Sequence, residues 1–179
     1  EPGLCRTHRT RSKGGAIITP SASSTQHSRA ESWGLTVAVS PRPRVRVAVV
    51  DAYGTIANEY RDRAIGAAAP ERPWAVYLAG PDQRFRLLAF DLDAHGDPAA
   101  AARDADVLSG LLSDVGLPHV LCESGPTGGR HLWVGLAESV DAETVATLAR
   151  LARHLCPTLD LSPLTNPVTG CVRPPGAPH

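Results

Sequence analysis

From Val45 onward the chain alternates short apolar runs with two longer amphipathic stretches, and clusters of Gly, Pro and Asp separate them. Val45-Arg46-Val47-Ala48-Val49-Val50 alternates and then turns wholly apolar, which predicts a strand. Ala52 to Ala68 reads as helical, with Gly54 and Gly66 interrupting it. Two further strand-like runs follow, Trp74 to Ala79 and Phe85 to Phe90. Gly80-Pro81-Asp82-Gln83 between them is turn chemistry, so the two runs are expected to pair as an antiparallel hairpin.

The clearest helix comes next. Asp97 suits the N-cap, Pro98 the first helical position and Gly116 the exit. Between them Ala101, Ala105, Leu108, Leu112 and Val115 recur at spacings of four and three, which makes one buried stripe. A second hairpin is read from His119–Glu123 and Arg130–Val134 around a Gly-rich loop. A second helix starts near Asp141, with Val145, Leu148, Ala152 and Leu155 as its apolar stripe. Arg150, Arg153 and His154 suit its negative C-terminal end. From Cys156 the chain is Pro-rich and reads as irregular. Hairpin, helix, hairpin, helix is an α+β order, two β-hairpins and helices packed on a largely antiparallel sheet. It is not the alternation of a doubly wound parallel fold.

Residues 1–44 lack this patterning. Ser21-Ala22-Ser23-Ser24-Thr25 and Pro41-Arg42-Pro43-Arg44 have linker composition, so a disordered extension is expected ahead of a single domain at 45–179. Arg6, Arg9, Arg11 and Lys13 form a small basic cluster, read as a solvated tail in preference to a nucleic-acid arm. Formal net charge is zero, so any binding of a polyanion must come from local clustering of positive charge. Methionine is absent even at position 1, and the chain stops immediately after a motif-like stretch; a fragment missing residues at both ends, with the catalytic domain truncated at the C-terminus, is expected. The four cysteines contain no CxxC pair and no signal peptide precedes them, which predicts free thiols in a reducing cytoplasm. Cys156, Cys171, His154 and His179 match no familiar zinc-finger spacing. No apolar run approaches the ~20 residues that span a bilayer.

Chemistry concentrates in three places. In Phe90-Asp91-Leu92-Asp93 an apolar run ends in two carboxylates spaced i, i+2, which point the same way on a strand. Side-by-side anions repel unless a cation lies between them, so this strand end reads as a seat for Mg²⁺ or Mn²⁺. Ser124-Gly125-Pro126-Thr127-Gly128-Gly129-Arg130-His131 is a glycine-rich turn of a kind that can cradle phosphate oxygens, with His131 on the return strand. Leu159-Asp160-Leu161 supplies an isolated acid; beside Asp91 and Asp93 it would complete a two-cation site.

The ordered set Phe-Asp-Leu-Asp, Ser-Gly-x-x-Gly-Gly-Arg-His and Leu-Asp-Leu resembles the three signatures of the archaeo-eukaryotic primase superfamily, in particular its bifunctional primase–polymerase branch from plasmids, phages and integrative elements. The likeness covers about residues 73–179. It implies an RRM-like catalytic half and template-directed nucleotidyl transfer with two Mg²⁺ or Mn²⁺ ions. Asp91, Asp93 and Asp160 would be the catalytic, metal-binding acids. Ser124, Gly128, Gly129, Arg130 and His131 would bind nucleotide, joined by Arg173 in the basic segment after the third acid. The implied partners are a DNA template and primer, nucleoside triphosphates and a helicase domain in a longer parent, with a cytoplasmic location and no membrane. The alternative of a different class is a catalytically incomplete replication-initiator fragment that binds DNA or a helicase. A haloacid-dehalogenase-type phosphatase would need a lysine later in the chain, and none follows Lys13.

Overall fold

The computed structural model describes residues 5–8, 28–51 and 55–178. It is an α+β fold with two antiparallel sheets flanked by helices. The smaller sheet is built from β2 (Arg44–Val50), β3 (Ile56–Ala64), β4 (Trp74–Tyr77) and β9 (Cys171–Val172), in the order β3-β2-β4-β9. The larger contains β1 (Cys5–His8), β5 (Phe85–Leu92), β6 (His119–Glu123), β7 (Arg130–Val140) and β8 (Leu159–Asp160), in the order β1-β6-β7-β5-β8. With α2 (Pro98–Asp114) and α3 (Ala142–Leu155), its last four strands run β5-α2-β6-β7-α3-β8, the split β-α-β-β-α-β unit.

The helices start where their caps dictate. Asp97 accepts from the Ala100 amide with Pro98 at the first turn, and Asp141 accepts from the Thr144 amide. Alternation along β5 sends Leu88, Phe90 and Leu92 to the helix side of the sheet, where Phe90 and Leu92 are at most 1% exposed. Burying a side chain of that size contributes about 1.5–3 kcal/mol. The helix stripes are only half covered. Leu148 and Leu155, expected in the core, are exposed, as is Val115, because α2 and α3 stand apart over an apolar groove of about 490 Å³. Among the described residues no helix is long and apolar enough to cross a membrane.

Four sequence expectations are corrected. The stretch read as a helix over 52–68 instead contains β3, which pairs antiparallel with β2 from Arg44↔Ala64 to Val50↔Ile56; tertiary pairing overrides local helix propensity here. Residues 29–39, assigned to a disordered extension, form helix α1 (Arg29–Val39). Ser28 and Glu31 close a reciprocal capping box, and Trp33 packs edge-on against Trp74 at 5.4 Å. Cys5–His8 likewise pairs with β6, while Arg9, Arg11, Lys13 and residues 21–25 lie outside the described residues. The runs at 74–79 and 85–90 meet only at their turn, where Ala79 bridges Phe85; β4 then joins one sheet and β5 the other. Lastly, the tail read as irregular carries β8, the short helix α4 (Ser162–Thr165) and β9, each placed by pairing or packing with distant elements.

Candidate active site

Register builds the site. β5 is flanked by β7 on one side and β8 on the other, and at one level of the sheet the three strands place His131, Asp91 and Asp160 side by side. Paired residues share a face, so these three side chains leave the sheet together while Leu92, Arg130 and Leu159 leave it on the other face. Asp93 follows one step beyond the strand end on the Asp91 side, and its amide donates to Thr158 O at 2.9 Å. Residues 40 and 69 positions apart from Asp91 in the chain thus meet it through strand pairing alone.

His131 is 4% exposed and its ring is held from both ends. Nε2 lies 3.1 Å from Asp91 Oδ1, and Nδ1 lies 3.2 Å from the carbonyl of Arg173. Both ring nitrogens therefore face oxygen atoms, which fixes the orientation of the ring. Trp133, two residues on, meets the ring edge-on at 6.4 Å. Asp160 Oδ1 accepts from the Ser162 amide and hydroxyl at 2.9 and 2.7 Å. Asp93 is raised above the ordinary carboxylate range, first by burial and then by the charge of Asp91; Asp160 pushes the same way and His95 and His131 oppose.

The glycine-rich turn lies against this strand end. A Cβ on Gly129 would lie 2.4 Å from Ser124 Oγ and 3.1 Å from Leu92 O, and one on Gly128, at φ +89°, would meet Pro98 Cβ at 2.6 Å. Only glycine lets the turn close onto β5 and the start of α2. Ser124 donates its amide to Gly129 O at 3.0 Å. Arg130 is engaged inside its own hairpin, donating to Gly128 O and Gly129 O and lying 3.6 Å from Glu123. It does not reach the acids. Arg173 joins the site through its backbone carbonyl.

Sequence reasoning gave no role to His95, whose Nε2 lies 3.7 Å from Asp93 Oδ2 and whose backbone is left-handed at φ 42°. Its position two residues past Asp93, in a turn before Asp97-Pro98, is the signal that could have found it. The three carboxylates are a hard oxygen donor set that suits a small divalent cation such as Mg²⁺ or Mn²⁺. Each carboxylate is turned to its own neighbour, however, and among the described residues no three His, Cys, Asp or Glu side chains converge as a ready metal cage. Cys156 is turned onto Asp104 O and Cys171 belongs to the other sheet.

No family model matches the chain, and no curated protein does. Among solved structures the chain is similar to the polymerase domain of Ligase D from Mycobacterium tuberculosis, solved in complex with DNA. The match has a TM-score of 0.50 at 18% identity and covers 99% of this chain and 69% of that one. At that identity the likeness is one of fold: this chain shares its architecture with a polymerase domain.

Proposed function

We propose that this chain is a nucleotidyl transferase of the primase–polymerase type, acting on a DNA template and primer with nucleoside triphosphates. The observation that carries the reading is the in-register row of His131, Asp91 and Asp160 with Asp93 beside it. It unites the three sequence signatures at one sheet end, in a fold like that of a polymerase domain.

Asp91, Asp93 and Asp160 would hold Mg²⁺ or Mn²⁺. Such ions, when bound, acidify a primer hydroxyl and offset charge on a triphosphate. The chain's own groups do the rest. His131, whose ring is oriented by the Arg173 carbonyl and by Asp91, would offer Nε2 to a phosphate oxygen, and Asp91 would be one of the carboxylates available to a cation. Gly128 and Gly129 let the turn close onto β5 and the start of α2, which brings its backbone to the acids, Ser124 offers its hydroxyl, and Arg130 braces the turn. Catalysis on this scheme is positioning and charge stabilisation.

The test is template-dependent incorporation of labelled nucleotide by the full chain in Mn²⁺. Incorporation that an Asp91→Ala, Asp93→Ala double variant loses is expected; full synthesis by that variant would overturn the proposal. Binding of DNA without any incorporation would favour the second reading, a DNA- or helicase-binding module, which the paired-off carboxylates support.

A further inference from the structure

A cleft of about 400 Å³ opens on the smaller sheet, away from the acids, and Arg42, Arg44, Asp62 and Arg63 line it. Its floor is unusual in charge. Arg42 is only 8% exposed, yet its guanidinium donates to four backbone carbonyls: Ala79 at 2.8 Å, Val168 at 3.0 Å, Gly80 at 3.3 Å and Pro167 at 2.8 Å. It also stacks over the Tyr77 ring at 4.1 Å. All these partners are neutral, and Arg42 makes no ion pair among the described residues. A buried charge is ordinarily matched by an opposite one.

The nearby carboxylate is already shared. Asp62 accepts the Tyr77 hydroxyl and lies 3.3 Å from Arg44 Nη1, and Arg46 stands opposite it in the strand register. Arg44 and Arg46 share the face of Asp62, and Arg42 and Arg63 line the same cleft, a local excess of positive charge in a chain of zero net charge. Arg44 and Arg63 are solvent-exposed and able to meet a ligand, whereas Arg42 is rigidly held and supplies a fixed field. The sheet leads directly to the acids: Cys171 on β9 pairs with Tyr77, and two residues later the Arg173 carbonyl meets His131.

We propose that this cleft binds backbone phosphates of the nucleic-acid strand on which the site acts, as a contact distinct from the triphosphate site at His131. The inference rests on the nucleotidyl-transfer reading. Arg44 meets phosphodiester oxygens from the Asp62 face and Arg63 from the edge strand β3, Arg42 adds attraction from below, and Asp62 limits the affinity so that the strand can move.

Fluorescence anisotropy of a labelled single-stranded oligonucleotide, without divalent ion or nucleotide and over a range of KCl, tests it. An R44Q/R63Q double variant should bind roughly tenfold more weakly, and its slope of log affinity against log salt should be shallower by about 1. Asp62→Asn should bind more tightly than the wild type. Equal affinity and slope for the wild type and R44Q/R63Q would overturn this inference and leave the nucleotidyl-transfer reading standing; so would a lowered melting temperature with an unchanged slope, which marks the arginines as structural. Displacement of the oligonucleotide by equimolar inorganic phosphate would assign the cleft to a free anion and overturn it likewise. A wild-type chain that does not bind the oligonucleotide at all would overturn both.

Discussion

At the end of β5, Asp91, Asp93 and Asp160 crowd together, with His131 and His95 as their partners; on the smaller sheet, Arg44 and Arg46 share the face of Asp62, and Arg42 and Arg63 line the cleft beside it. One sheet concentrates negative charge and the other positive, although both are antiparallel and both bury an apolar opposite face. The acids are held by strand register and have exchangeable partners. Arg42 is locked by four carbonyls and an aromatic ring. Exchangeable contacts suit groups that must rearrange around an ion, and locked ones suit a fixed field. Separating charge in this way lets a chain with no net charge address a cation and a polyanion at different places.

The largest expected effect separates the two regions by function. Asp91→Asn should lower Mn²⁺-dependent incorporation by about 10²–10³-fold, the scale seen when one preorganised electrostatic group is removed. Its oligonucleotide affinity, read by anisotropy, should stay close to that of the wild type. Equal losses of incorporation and of binding would show that the two charge clusters act as one surface, and the comparison would collapse.

Next in size is the turn that closes on the acids. Gly129→Ala would put a methyl group against Ser124 Oγ and the Leu92 carbonyl, and the backbone oxygen has little room to yield. Overpacking of this kind costs about 1–3 kcal/mol. Chemical denaturation should register that loss, and incorporation should fall as the turn lifts from β5. Gly110→Ala is the control, because nothing lies within 4 Å of the added carbon.

The acid end was readable in the sequence and the arginine cleft was not, and the reason is physical. Two acids at i, i+2 after an apolar run, and a histidine after a glycine turn, are local patterns that pleat and hairpin geometry convert directly into a shared face. The α2 and α3 caps were legible for the same reason: Asp97-Pro98 and Asp141 act within four residues. That Asp160 pairs with Asp91 is a long-range fact carried by a two-residue strand, which no periodicity can reveal. The cleft depends on β3, whose Ile56-Ala57-Asn58-Glu59-Tyr60-Arg61 composition suits a helix as well as an edge strand, so its neighbours could not be foreseen. Helix α1 hid in a Ser/Thr-rich stretch, although the Ser28…Glu31 capping box was there to be seen. Turn chemistry at Gly80-Pro81 marked a reversal but could not specify that β4 and β5 join different sheets.

A smaller effect tests how tightly the arginine side is tied. The Tyr77 phenol is pushed up to about 12 by burial and by its bond to Asp62. Tyr77→Phe removes one hydrogen bond, a loss of about 0.5–1.5 kcal/mol by denaturation. The folded phenol stays neutral where the unfolded one ionises, so its contribution is complete below pH 10 and is lost as pH rises toward 12. The variant should lack that alkaline loss; an identical alkaline profile would detach Tyr77 from the Asp62 network.

The smallest expected effect belongs to Asp93 and has the opposite sign. Its folded carboxyl lies above the ordinary range because burial and the charge of Asp91 disfavour ionisation. Such a group binds its proton more tightly folded than unfolded, so its contribution to stability is complete below the ordinary carboxylate range and is lost as pH rises through the raised value. At neutral pH in chelator, wild-type Asp93 is therefore a net cost, and Asp93→Asn should melt slightly higher, by on the order of 0.5 kcal/mol after solvent screening. Added Mn²⁺ should reverse the order, since a cation among the acids converts their repulsion into attraction in the wild type and finds one ligand fewer in the variant. Melting curves at two pH values, with and without Mn²⁺, read both signs. If Asp93→Asn melts no higher in chelator and Mn²⁺ raises neither curve, the acids at the end of β5 are an ordinary solvated cluster, and the contrast between the two sheets loses its functional meaning.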